Sequence, residues 1–400
     1  MKITALETIR LGEFPNLIWL RIHTDEGLIG LGESFYGAAA IEAYLHETAA
    51  HHLLGQDPLA IEALGRKLYG YVGYTGTGVE MRGNSAVDVA LWDLFGKVAN
   101  QPIYQLLGGA SRDSIRVYNT CAGYQYVRAP AHAIGNWGLP KAEPEGPYED
   151  LVAFLERADE LAQSLLDQGI SGMKIWPFDS AAMARSGNDI SAAEMKAALG
   201  PFEKIRRAVG DKIDVMAEMH LLWNLPTAVR IAEALKPYDP YWIEDPIKMD
   251  SLGSLQEYKR RTGVTVTASE TIATHWGYRE LLERQCADVI MPDIGWCGGL
   301  TEAKKIATMA EAYHLPVAPH DCTGPVLLAA SVHLTINAPN ALIQETVRAF
   351  HSGWYRDLVT EVPPIEKGHI RALTGPGLGT DLLPDLPDRP DAMVRRSEAE

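Results

Sequence analysis

Cysteine is scarce in this chain and follows no ligand pattern. Cys121, Cys286, Cys297 and Cys322 are scattered, with no Cys-x-x-Cys pair. That argues against a disulfide scaffold or a thiolate metal site, and reads as free thiols in a reducing compartment. Long apolar runs are missing too. None approaches the ~18 residues of a membrane span, and the opening MKITALETIR has no apolar leader core. The cytoplasm is the expected location, with no membrane partner. Basic charge is in deficit: 36 Lys and Arg face 52 Asp and Glu, for a net charge of −16. Such a field disfavours nucleic acid as a partner. An anionic small molecule remains compatible, because a bound metal reverses the field locally. No low-complexity tract interrupts the 400 residues, which suffice for a barrel of about 250 residues plus a second domain.

Two rhythms divide the sequence. In residues 1–113, ITALETIRL, LIWLRIHTD and IGLGESF alternate like antiparallel strands, with DEGLIG as a hairpin turn. Helical patterns follow, the last being NSAVDVALWDLFGKVANQ with Val87, Ala90, Leu91 and Leu94 on one stripe. Residues 114–350 alternate strand and helix. SIRVYNT, SGMKIWP, KIDVMAEMH, YWIEDP, VTVTASE, ADVIMPD, LPVAPH and ALIQET read as eight parallel strands, which implies an α/β barrel. Residues 351–400 form a Pro- and Gly-rich tail expected to return to the first domain. The connections 122–149 and 178–192 are long. Loops after barrel strands sit on the active-site face, so both are lid or specificity candidates.

Three glutamates carry the chemical signal. Glu218, Glu244 and Glu270 each close an apolar run and stand 26 residues apart in both steps. That is about one βα unit, which places three carboxylates at the C-terminal ends of consecutive strands. Left unpaired they repel one another, so a cation is required. All-oxygen ligands favour a hard ion such as Mg2+. Asp293 and His320 end the next two strands, where the carboxylate can orient the imidazole. His220 follows Glu218 by two residues, and residues i and i+2 of a strand share a face, so it is expected to point into the same cavity as the ligand. It could be a further ligand, a second acid–base group or a spectator, and the second is preferred because carboxylate sites for hard cations rarely recruit imidazole. Glu345 ends the eighth strand and could orient substrate or stabilise developing charge as a protonated acid, or equally serve as a helix cap or in a salt bridge. Lys174 could meet a substrate carboxylate, and Trp176, two residues on, would wall the cavity. The GWCGG stretch from Gly295 to Gly299 is a tight turn rather than a phosphate loop.

Together these motifs resemble the enolase superfamily, within the mandelate racemase / muconate lactonizing enzyme group. The resemblance spans essentially the whole chain: SAVDVALWDLFGK is similar to a helix of the group's capping domain. The glutamates match its Mg2+ ligands, Asp293 and His320 its His–Asp dyad, and Glu345 its strand-eight acid. It implies a (β/α)7β barrel with an N-terminal α+β capping domain completed by the C-terminal tail. Two departures stand out. The group's second strand ends Lys-x-Lys, whereas here it reads Lys174-Ile175-Trp176, without the second base. Glu218-x-His220 replaces an acid-x-Asn pair and is similar to the galactonate- and mannonate-type sugar-acid dehydratases. In the galactonate type, two histidines share acid–base duty. In the mannonate type an Arg/Tyr pair after strand one assists, which singles out Tyr126 and Arg128.

The resemblance implies abstraction of the proton alpha to a carboxylate, an ene-diolate, and loss of the C3 hydroxyl to give a 2-keto-3-deoxy acid. His220 would be the base and His320 the acid. The alternatives are a racemase, epimerase or cycloisomerase using the same residues, or a binding protein on a borrowed barrel. Family specificity loops fall at 14–17, 34–37, 71–82 and 122–149, where Tyr36, Tyr74, Arg82 and Trp137 could meet a polyol. Dimers to octamers are expected from the family.

Overall fold

The alternating N-terminal stretches become β1 (Ile3–Leu11), β2 (Leu17–Thr24) and β3 (Ile29–Phe35) in the computed structural model, which describes residues 1–69, 76–128 and 146–399. Tyr74 and Trp137 lie outside the described residues. The strands pair antiparallel in the order of the chain. One face of this sheet presents Ile3, Leu6, Ile18, Leu20 and Ile22 to Val87, Ala90, Leu91 and Leu94 of the helix Val79–Ala99. The stripe legible in the sequence is therefore the buried seam of the capping domain.

The barrel strands are β4 (Ile115–Thr120), β5 (Gly172–Ile175), β6 (Asp214–Glu218), β7 (Ile243–Glu244), β8 (Val266–Ala268), β9 (Val289–Ile290) and β10 (Gln344–Thr346). Neighbours from β4 to β9 pair in parallel, and β10 pairs with β4 to close the ring. The seventh staff is not a continuous strand. LPVAPH contributes only single bridges, Val317 to Ile290 and Ala341, and His320 to Asp293. Pro316 and Pro319 each remove an N–H donor from that segment, which accounts for the broken ladder. Among the described residues, the longest helix in each connection between successive staves is, in order, Ala158–Asp167, Ala192–Val209, Leu225–Leu235, Leu252–Thr262, Thr274–Glu283, Gly299–Ala312 and Pro325–Asn337.

Side-chain alternation turns this ring into a site. Tyr118, Met216, Trp242, Met291, Ala318 and Ile343 form one buried interior cluster. Two residues further along each staff, on the same face, stand Thr120, Glu218, Glu244, Asp293, His320 and Glu345. An apolar plug thus fills the barrel below, and a polar layer sits above it at the C-terminal ends.

The tail makes two attachments. β11 (Ile365–Glu366) and β12 (His369–Ile370) form a hairpin whose second strand pairs with β4, and β13 (Ala392–Glu398) pairs antiparallel with β1. Between them, Leu378 N–H donates to the buried Asp93 of the capping helix at 2.8 Å.

The two domains are joined by carboxylates that cap helices across the interface. Glu33 of β3 accepts from Leu327 N–H at 3.1 Å, and Asp88 accepts from Thr301 N–H at 2.9 Å. Both donors lie in the first turn of barrel helices that have no side-chain cap of their own. The fit admits no side chain opposite. A Cβ on Gly324 would lie 2.3 Å from the Glu33 carboxylate, and one on Gly299 would lie 2.3 Å from that of Asp88. The GWCGG turn therefore seats a protein carboxylate.

Candidate active site

Glu218, Glu244 and Glu270 come together as the spacing requires: one oxygen from each lies within 4.8 Å of the others. Glu218 and Glu244 are the last residues of β6 and β7, whereas Glu270 lies two residues beyond β8, in the following turn. The carboxylates are not unpaired, contrary to expectation. Lys174 Nζ lies 3.3 Å from Glu218, 2.5 Å from Glu244 and 3.0 Å from Glu345. Burial opposes the charge on this lysine, but the carboxylates of Glu244 and Glu345 overcome that and hold it protonated. Glu244 also accepts from the Trp242 indole at 2.9 Å. Its carboxyl is pushed well up, first by burial and then by Glu218.

Each histidine has its own buried carboxylate. His320 Nδ1 lies 2.6 Å from Asp293 Oδ2, as the adjacency of their staves implies. Its Nε2 lies 3.0 Å from Glu270, which links this pair to the acidic triad. His220 Nδ1 lies 2.7 Å from Asp179 Oδ2. Asp179 was not legible as a site residue, since it opens a short helix inside the long 178–192 connection. The strand argument for His220 also fails: β6 ends at Glu218, and His220 has φ 47, in a turn. It reaches the cavity by that turn. Burial alone would lower the imidazole pKa values. For His220, Asp179 and Glu218 reverse this and raise it to about 9. For His320, Glu270 and Glu345 do the same.

Glu345 is held as an ion. Burial works against its charge, but Lys174 and His320 together with the Thr120 hydroxyl and Asp321 N–H hold it at about 2.

These groups line a cavity of about 420 Å³. Its floor includes Lys174, Glu218, Glu270, His220 and His320, and its walls include Phe35, Tyr36, Arg82, Tyr126, Trp176 and Trp296. Trp176 lies just past the end of β5 and meets the His220 ring edge-on, with centroids 5.6 Å apart. Arg82 stacks 4.3 Å from the Trp296 ring, and Nε and Nη1 donate to the carbonyls of Thr77, Phe35 and Tyr36. Of the strand-one pair, Tyr126 lines the cavity and hydrogen-bonds Tyr36. Arg128 instead pairs with Glu13 at 2.6 Å.

The donor set fits a hard divalent cation. Glu218, Glu244, Glu270, Glu345, Asp179 and Asp293 outnumber the cationic groups Lys174, His220 and His320 facing them. Glu218 Oε2 is buried and makes no hydrogen bond; the Lys174 ammonium lies 3.3 Å from it. Oxygen-only ligands with residual negative charge suit Mg2+. No helix among the described residues is long and apolar enough to cross a membrane.

Comparison with known proteins agrees with this architecture. Residues 6–108 match the mandelate racemase / muconate lactonizing enzyme N-terminal domain, and residues 156–386 match the enolase C-terminal domain-like family. The chain is 33% identical over 389 residues to the D-galactonate dehydratase of Ralstonia nicotianae, covering 96% of this chain and 92% of that protein. It is 53% identical to an enolase of the mandelate racemase subgroup from Agrobacterium tumefaciens, with a TM-score of 0.89 and coverage of 100% and 99%. An enolase protein from environmental sequencing of the Sargasso Sea is 42% identical, with a TM-score of 0.89 and the same coverage. From its capping sheet to its acid-ringed barrel, the chain belongs to the mandelate racemase / muconate lactonizing enzyme family of the enolase superfamily.

Proposed function

We propose that this protein dehydrates a sugar acid, an aldonate or aldarate, to a 2-keto-3-deoxy acid. The observation that carries the reading is that two imidazoles, each oriented by its own buried carboxylate, line one cavity with the acidic triad. The similarity to D-galactonate dehydratase supports it.

Glu218, Glu244 and Glu270 would hold Mg2+, which as a Lewis acid stabilises charge developing on a substrate carboxylate. Lys174 adds positive charge to the same floor. His220 takes the C2 proton. His320, held by Asp293, donates a proton to the C3 hydroxyl, which departs as water. The resulting enol becomes the ketone, so the balance is substrate minus one water. Each positioned acid or base is worth roughly 10²- to 10⁴-fold. The apolar walls of Phe35, Trp176 and Trp296 lower the local dielectric and strengthen these interactions.

The test is incubation with Mg2+ in D2O against aldonic, aldaric and uronic acids, followed by proton NMR. A new C3 methylene with loss of the C2 proton establishes dehydration and names the substrate. C2 deuteration or an epimer without elimination would replace the dehydratase by an epimerase using the same histidines.

A further inference from the structure

Asp179 has no evident structural duty. It is 2% exposed and, among the described residues, its one ion pair is with His220. Although it opens the helix Asp179–Ala184, no side chain caps that helix, and Asp179 Oδ1 is buried without any hydrogen-bond partner. Removing a carboxylate from water costs several kcal/mol unless it is paired. Here the pairing is with one imidazole nitrogen, Nδ1 of His220, at 2.7 Å.

The same arrangement occurs elsewhere in the barrel. Asp293 holds Nδ1 of His320 at 2.6 Å. In both pairs the acid follows one barrel staff and the histidine follows the next. Trp176 adds a second constraint on His220, meeting its ring at 76°. A ring gripped at Nδ1 and met by the Trp176 ring is held in orientation, with Nε2 as the nitrogen that Asp179 does not engage.

We propose that Asp179 is the positioning residue of a second carboxylate–imidazole pair, fixing His220 with Nδ1–H toward Asp179 and Nε2 toward substrate. The kinetic part of this inference rests on the acid–base role given to His220; the structural part does not. Asp179 touches no substrate and acts through His220.

Two measurements test it. In the wild-type protein, the hydrogen-bonded imidazole N–H protons give downfield proton resonances, and the one from His220 is identified by its loss in His220→Asn. Asp179→Ala should abolish that resonance while leaving the one lost in His320→Asn. Asp179→Asn, which keeps a neutral acceptor and the side-chain volume, should shift it upfield. Persistence of the His220 resonance in both variants overturns the proposal. With an active substrate, Asp179→Asn should lower kcat about tenfold or more with KM changed less than about threefold. It should add no further loss in the His220→Asn background, because one function cannot be removed twice. Equal losses in both backgrounds would mean that Asp179 acts independently of His220 and would also overturn it. If no substrate is found, the dehydratase reading fails while the spectra still decide the pairing.

Discussion

Lys174 Nζ lies 3.0 Å from Glu345 Oε1 and so ties the second barrel staff to the eighth across the top of the first. The same ammonium touches Glu218 and Glu244. It is thus the internal counter-ion of the acidic layer as well as a candidate substrate contact. Lys174→Met keeps most of the unbranched stem and removes the charge, leaving buried carboxylates uncompensated. The expected loss is about 3–5 kcal/mol of stability, read by denaturant unfolding. Mg2+ should restore part of it, because a divalent ion supplies the missing charge. A variant as stable as the wild type would show that the acids are neutralised by protons instead.

Metal binding should itself stabilise the fold. At a free Mg2+ concentration 100 times Kd, linkage predicts a gain of about 2.7 kcal/mol, and a chelator should reverse it. Glu244→Gln removes a ligand from the triad and should abolish both the gain and the heat of Mg2+ binding in calorimetry.

Asp293→Asn and His320→Asn should each reduce kcat by roughly 10²- to 10⁴-fold while leaving Mg2+ binding measurable. The double variant should lose little more than the worse single one. Additive losses would separate Asp293 from His320.

Stability should fall with rising pH through the neutral range. Burial first of all raises Glu33 from its ordinary 4.5 to about 8, and raises Asp88 from 3.8 to about 7. Each carboxyl is a stronger proton acceptor folded than unfolded. Its contribution is therefore complete below the ordinary carboxylate range and is lost as pH climbs through 7 to 8. The total for each is on the order of 4 kcal/mol. Unfolding between pH 5 and 9 should show this decline, and it should be shallower in Asp88→Asn.

Glu218, Glu244 and the Asp293–His320 pair were legible because they ride on strand periodicity, and Glu270, in the turn after β8, was legible from the 26-residue step. Met216 and Glu218, or Trp242 and Glu244, sit two residues apart on one face, a relation any strand enforces. His220 was found by a rule that does not apply to it, since its turn and not a strand aims it. Asp179 gave no signal, because a contact between two βα connections has no sequence period. The seventh staff looked like a strand from LPVAPH, yet its two prolines break the ladder without moving His320 from Asp293. Lys174 was seen as a substrate contact; its link to three carboxylates depends on how far the staves lean inward.

The carboxylates that cross the domain boundary bear on modularity. Glu33 and Asp88 complete helices that belong to the barrel, and Gly324 and Gly299 are the recesses that receive them. The barrel therefore carries vacancies shaped for one particular lid. A chimaera that grafts another relative's N-terminal domain here, to borrow its specificity loops, must bring an acid to each recess. Tyr36, three residues beyond Glu33, rides on the same segment into the cavity wall, so a graft that misses that anchor also misplaces the surface meant to recognise the new substrate.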